Sequence, residues 1–182
     1  SALTSPHTIS LFDFGVTDDG VFYYVMEMLD GIDLDTLIAH NGPVCPSRTI
    51  HLLVQACASL AEAHESGLIH RDVKPANIFC CQVGLTRDFV KLLDFGLVTR
   101  AAKAATPESL KLTGNSTIVG TPAFIAPEQV ETLAVDPRAD IYALGCVGYW
   151  LLTGRYVFEQ ESTLRMMLDH LNTKPEPASK RL

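Results

Sequence analysis

The chain has 182 residues, 47% hydrophobic and 19% charged, enough apolar material for one soluble globular domain with a real core. Its net charge of -7 argues against nucleic acid or an anionic membrane as the main partner, because both require a basic face. Five cysteines, Cys45, Cys57, Cys80, Cys81 and Cys146, are odd in number and lack Cys-x-x-Cys spacing, which predicts a reducing, cytoplasmic setting.

Ser1 to Ser10 shows no basic stretch followed by an apolar one, so no signal peptide is expected. Thr8 to Phe14 then alternates polar and apolar, Thr17-Asp18-Asp19-Gly20 reads as a turn, and Val21 to Met28 is rich in β-branched and aromatic residues. That pattern predicts a β-hairpin. The segment Met26-Glu27-Met28-Leu29-Asp30-Gly31 leads out of it, and both methionines suit core filling. Asp33 is a good N-cap for a helix from Leu34 to His40, which Asn41-Gly42-Pro43 stops. Ser47 is expected to cap the next helix. There Ile50, Leu53, Val54, Cys57, Leu60, Ala61 and His64 recur at three and four until Gly67, predicting a long amphipathic helix packed on the core. His51 and His64 lack partners at ligand spacing and are expected as packing or surface residues.

His70-Arg71-Asp72-Val73-Lys74-Pro75-Ala76-Asn77 sets a carboxylate beside a lysine two residues on and an amide five residues on. A short rigid loop can aim all three at one phosphate-bearing centre. Ile78 to Val83 and Phe89 to Leu93 flank a Gly-containing turn, so a second hairpin carries Asn77 at its entrance and Asp94 at its exit. Cys80 and Cys81, adjacent on a strand, point to opposite faces and make a poor joint metal site. Leu97 to Val119 loses periodicity and has the composition of a mobile loop. Asp136-Pro137 starts a helix whose stretch Ile141 to Leu152 is apolar on all sides. At twelve residues it falls short of the roughly 18 to 20 that span a bilayer, and it predicts the most buried helix. Gly154 ends it, Glu161 to Leu171 makes one more, and Lys174-Pro175-Glu176-Pro177 breaks that. No internal repeat or linker is visible.

Seventeen residues after Asn77 stands Asp94-Phe95-Gly96, and thirty-two after Asp94 stands Ala126-Pro127-Glu128. With the His70 to Asn77 loop, these motifs in this order resemble the protein kinase family. Lys74 followed by Pro75 resembles its serine/threonine branch, and Gly120-Thr121-Pro122-Ala123-Phe124-Ile125-Ala126-Pro127-Glu128-Gln129 is similar to bacterial members.

The resemblance implies an α+β kinase-like fold: two strands of the small lobe plus a mainly helical large lobe. It implies residues 1–30 as a remnant of the small lobe, holding strands four and five and the hinge, and 31–182 as a truncated large lobe. The family's Gly-rich loop, strand-three Lys and helix Glu are expected upstream, and its last helices downstream. It further implies ATP and Mg²⁺ as cofactors and protein Ser/Thr hydroxyls as substrates, with no membrane segment here. Asp72 would accept the hydroxyl proton, Lys74 would steady the transferred phosphate, Asn77 and Asp94 would hold Mg²⁺, and Thr121 would shape the site beside Asp72. Met26 would be the gatekeeper, the Glu27 carbonyl and Leu29 amide would face adenine, Asp33 would meet the ribose, and Phe79 would floor the adenine. Asp140 would brace the catalytic loop, and Ser109, Thr113, Ser116 or Thr117 would take a phosphate facing Arg71. The expected function is serine/threonine protein kinase, this stretch being a partial domain of little activity alone. The competing reading is a non-catalytic, pseudokinase-like scaffold. An unrelated phosphotransfer fold lacks support, since no G-x-x-x-x-G-K-[ST] occurs.

Overall fold

A computed structural model describes residues 3–95, 122–131 and 135–182. The alternating segment near the start does form a hairpin, with β1 (Leu11–Val16) antiparallel to β2 (Phe22–Met26). Thr17 and Gly20 close its turn, Gly20 at a φ of 85° that favours glycine.

A second sheet holds the site. Its strands are β3 (Gly31–Asp33), β4 (Ile78–Val83) and β5 (Thr86–Leu92), all antiparallel with β4 in the middle. The β4–β5 hairpin was anticipated; β3 was not, because three residues give no alternation to read. Gly31 lies so close to β4 that an added Cβ would stand 2.4 Å from the Cys80 carbonyl oxygen. The first hairpin joins this sheet through a parallel bridge at Thr8 and Leu92, where Ile9 N donates to Leu92 O and Leu92 N to His7 O.

Asp33 caps α1 (Leu34–Asn41) through both carboxylate oxygens, accepting from Thr36 N and Thr36 Oγ1 at 2.8 Å each. Gly42 ends that helix. The next, α2 (Pro46–Glu65), begins one residue before the expected cap: Pro46 takes the first helical position, Cys45 is the cap residue, and Ser47 lies inside.

The buried face of α2 corrects the apolar stripe. Ile50 and Val54 are each 62% exposed and Cys57 and Ala61 are also exposed, whereas Thr49, Leu52, Ala56, Ser59, Leu60 and Ala63 are buried. Small and hydroxyl residues face inward because the helix packs closely on β5 and on a later helix. The Ser59 hydroxyl meets Thr8 Oγ1 at 2.6 Å, and Gln55 and Arg48 reach the β5 backbone and Asp88.

The apolar helix is α4 (Arg138–Thr153), preceded by the short α3 (Pro127–Glu131) and followed by α5 (Thr163–Asn172). Asp136 accepts from Arg138 N as a cap should, although the helix proper begins at Arg138 and Pro137 stands at the cap position. Most of α4 is buried, but Ile141 is 51% exposed, so its apolar surround is not fully covered. Gly154 closes it in the left-handed conformation at φ 68°. Leu52, Leu60, Ile78, Val90, Leu92, Val147 and Leu151 form the centre of the core between sheet and helices. Among the described residues no helix is long and apolar enough to cross a membrane.

Candidate active site

The loop from His70 to Asn77 gets its shape from α4. Asp140, 1% exposed, points its carboxylate back at that loop and accepts from His70 N at 2.9 Å and Arg71 N at 2.8 Å. His64 adds a third donor through Nε2 at 2.7 Å. A buried carboxylate needs such compensation. The bracing role expected of Asp140 matches this geometry, while His64, expected as a packing or surface residue, hydrogen-bonds to it.

The paired backbone bonds turn the chain sharply: Arg71 sits at φ 68°, a left-handed conformation unusual for a long side chain. His70 lies under the turn, 2% exposed. Its Nε2 donates to Leu93 O at 2.7 Å, and its Nδ1 accepts from Asp72 N at 3.3 Å. The two bonds specify the neutral imidazole, and burial pushes its pKa down, against an opposing pull from the Leu93 carbonyl and nearby carboxylates.

Asp72, Lys74 and Asn77 converge. Lys74 Nζ donates to Asp72 Oδ2 at 2.7 Å, and Asn77 Nδ2 donates to the same oxygen at 3.0 Å and to Asp72 O at 2.8 Å. Asp72 Oδ1 carries none of these contacts. With its NH₂ committed to Asp72, Asn77 has its amide oxygen left for a cation. Leu93 N donates to Asn77 O at 2.9 Å, bringing the entrance and exit of the β4–β5 hairpin together one residue before Asp94. Asp94 is at φ 62°, and the ring of Phe95 packs 4.8 Å from that of His70.

Among the described residues no cluster of three or more His, Cys, Asp and Glu could hold a metal ion. The Asn77 amide and the Asp94 carboxylate supply oxygens of the kind that could hold a hard cation.

Of the residues expected around the nucleotide, Phe79 and Asp33 stand side by side in the second sheet. Phe79 on β4 is half-buried and stands opposite Asp33 on β3 and Lys91 on β5, so the three form one row across the sheet. Lys91, 9% exposed, donates to Glu27 Oε1 at 2.6 Å and to Thr8 O at 3.3 Å. The Glu27 carboxyl also takes Ser10 N, and although burial works against it, these bonds hold its pKa below the ordinary value. This half-buried pair ties the segment after β2 to β5, a link that sequence reasoning missed. Met26 is half-buried opposite Leu11 at the end of β2, and Leu29 follows in the same connection. Met28 is 99% exposed and fills no core. Asp33 keeps its capping bonds, and a carboxylate so bonded retains lone pairs for a further donor. Thr121, Gly96 and the loop hydroxyls Ser109, Thr113, Ser116 and Thr117 lie outside the described residues.

The protein kinase domain family matches residues 1–180. Serine/threonine-protein kinase pkn3 of Myxococcus xanthus is 36% identical over 181 residues, covering all of this chain and 33% of that protein. The solved kinase domain of Mycobacterium tuberculosis PknI superposes with a TM-score of 0.68 at 26% identity, over 98% of this chain and 58% of that one. Rad53 in complex with AMP-PNP gives 0.70 at 28% identity, over 91% and 38%. The chain belongs to the protein kinase domain family. It spans about a third or less of the curated relatives it matches.

Proposed function

We propose that the protein transfers the γ-phosphoryl group of ATP to Ser or Thr hydroxyls of protein substrates. The observation that carries this is the convergence of Lys74 and Asn77 on one carboxylate oxygen of Asp72, in a loop pinned by Asp140 and adjoining Asp94. The names of the serine/threonine kinase relatives and the AMP-PNP complex of a structural neighbour support the same reading.

Phosphoryl transfer asks a protein mainly for positioning and charge stabilisation. The substrate oxygen attacks the γ-phosphorus, the bond to the β–γ bridging oxygen breaks, and the hydroxyl proton passes to Asp72. Oδ1 is the oxygen open to receive it, since Oδ2 is occupied by Lys74 and Asn77. Lys74, beside the acceptor carboxylate, meets the transferred phosphate. Mg²⁺, held by Asn77 and Asp94, would neutralise charge on the ATP phosphates. Adenine would lie on Phe79 against the backbone of Glu27 and Leu29 beyond the gatekeeper Met26. Asp33 would accept from the ribose, and Thr121 would orient the incoming hydroxyl. All five cysteines are free thiols, which suits a reducing cytoplasm.

The test is kinetic, on the full-length protein with radiolabelled ATP and casein as a generic acceptor. Asp72→Asn should lower kcat by about 10² to 10⁴ while nucleotide affinity changes little. Asp94→Asn should weaken Mg²⁺-dependent nucleotide binding. Equal loss of ATP binding in both variants would refute the division of roles, and nucleotide binding without turnover in the unsubstituted protein would favour the scaffold reading.

A further inference from the structure

The peptide that carries Asp72 is fixed at both ends. Its N–H donates to His70 Nδ1 at 3.3 Å, and its carbonyl, that of Arg71, accepts from Gln129 Nε2 at 3.0 Å. His70 and Asp140 account for the neighbouring amides, so Gln129 is the one side chain from outside this buried cluster that holds the Arg71–Asp72 peptide among the described residues. Gln129 is on α3, directly after Ala126-Pro127-Glu128. Its Oε1 accepts from Ala126 N at 3.0 Å, the reach-back of a third-position glutamine to the residue before the helix. One carboxamide therefore uses its acceptor on α3 and its donor on the catalytic loop. A residue that only donates or only accepts can keep at most one of the two bonds.

We propose that Gln129 is a positioning residue for the phosphoryl transfer described above: it transmits the placement of the Ala126 to Glu131 segment to the Arg71–Asp72 peptide. The inference rests on that reading of Asp72. Arg71 is left-handed at φ 68°, a conformation that persists only where its surroundings enforce it. Releasing its carbonyl lets the peptide rotate and swings the Asp72 carboxylate away from the hydroxyl, and displacements of about 1 Å at such a centre cost up to about 10²-fold in rate. A displaced α3 thus gives a misaimed Asp72 even with every catalytic side chain present, a coupling between the Ala126 to Glu131 segment and the chemistry.

The experiment uses the full-length protein and two substitutions at this position, with Asp72→Asn alongside. Gln129→Met removes donor and acceptor at similar size and should lower kcat about tenfold, leaving KM for ATP within about twofold. Gln129→Glu keeps the acceptor but presents a carboxylate to the Arg71 carbonyl near pH 8. Protonated, the same side chain regains a donor, so its kcat relative to the unsubstituted protein should climb as pH falls from 7 to 5, toward the ordinary glutamate range near about 4.3. Glu128 and Glu131 on the same helix and Arg71 and Asp140 across from it are present in both proteins, so the ratio reads the change made at position 129. A Met variant with undiminished kcat, or a flat ratio for the Glu variant, would overturn the coupling if Asp72→Asn is inactive. An active Asp72→Asn would overturn the catalytic reading itself. If the Met variant does not fold, the pH ratio of the Glu variant alone decides.

Discussion

At the scale of single residues, His70 shows how little freedom the catalytic loop has. One ring nitrogen donates to Leu93 O and the other accepts from Asp72 N, so adding a proton removes an acceptor and places a charge on a ring that is 2% exposed. Burial sets its folded pKa below the ordinary value near 6.5. Below about pH 6.5 the unfolded chain therefore binds more protons than the folded one at this site. The stability due to neutral His70 is complete above that pH and declines as pH falls toward the depressed folded value. The melting temperature should drop between pH 7.5 and 5, with a shallower drop in His70→Gln, which retains a donor for Leu93 and has nothing to protonate. Calorimetry at constant ionic strength on both proteins checks this; identical slopes would assign the pH response to other groups, such as the buried His170, which burial also shifts down.

At the scale of elements, the placement of β3 depends on the absence of a side chain. An alanine methyl at position 31 would meet the Cys80 carbonyl at 2.4 Å and Cys81 Cα at 2.7 Å, both backbone atoms that cannot step aside. Gly31→Ala should therefore pull β3 from β4 and cost about 2 to 4 kcal/mol, the range of a forced backbone shift in a packed region. Urea unfolding would show it as a lower midpoint at unchanged slope. Because β3 carries Asp33 opposite Phe79, the same substitution should weaken ATP binding more than it slows turnover.

The elements also divide what the sequence made legible from what it hid. Local signals served well: the turn at Gly20, the cap at Asp33, the stop at Gly154 and the loop from His70 to Asn77 lie where their residues say. Signals that depend on distant partners did not. The inward face of α2 could not be told from its outward face, since Ile50, Val54, Cys57 and Ala61 repeat as regularly as the small residues that turn inward. The pairing of Lys91 leaves no local trace, because Glu27 stands 64 positions away. Gln129 gave no warning either, because the carbonyl it holds lies 58 residues earlier.

At the scale of the whole molecule, the first hairpin stands apart from the rest of the packing. Its sheet has two strands, so each presents an unpaired edge among the described residues, and such a unit is marginally stable by itself. Both its faces are open: Phe14 is 55% exposed, Val16 63% and Phe22 48% on one, and Tyr23 39% and Val25 45% on the other, with Phe12 69% exposed at the bulge. The segments flanking it are tied to the body by the Thr8 and Leu92 bridge, the Thr8 and Ser59 hydroxyls, the bonds of Thr4 and Ser5 to Glu62, and the Lys91 and Glu27 pair. Contiguous apolar surface next to free strand edges favours association. The 182-residue chain should therefore bind a hydrophobic dye and elute from a sizing column at a mass that rises with concentration. Phe12→Lys combined with Phe14→Lys places charge on the open strand, where substitutions cost less than about 0.5 kcal/mol each, and should return the chain to a monomer with little dye bound. Association that persists in the double variant would locate the contact elsewhere, with the exposed Ile50 and Val54 of α2 the next surface to test by the same substitutions. A 182-residue chain that stays monomeric and dye-free at high concentration would mean that the hairpin folds back on the body in solution, burying the aromatic side chains that the structure leaves open.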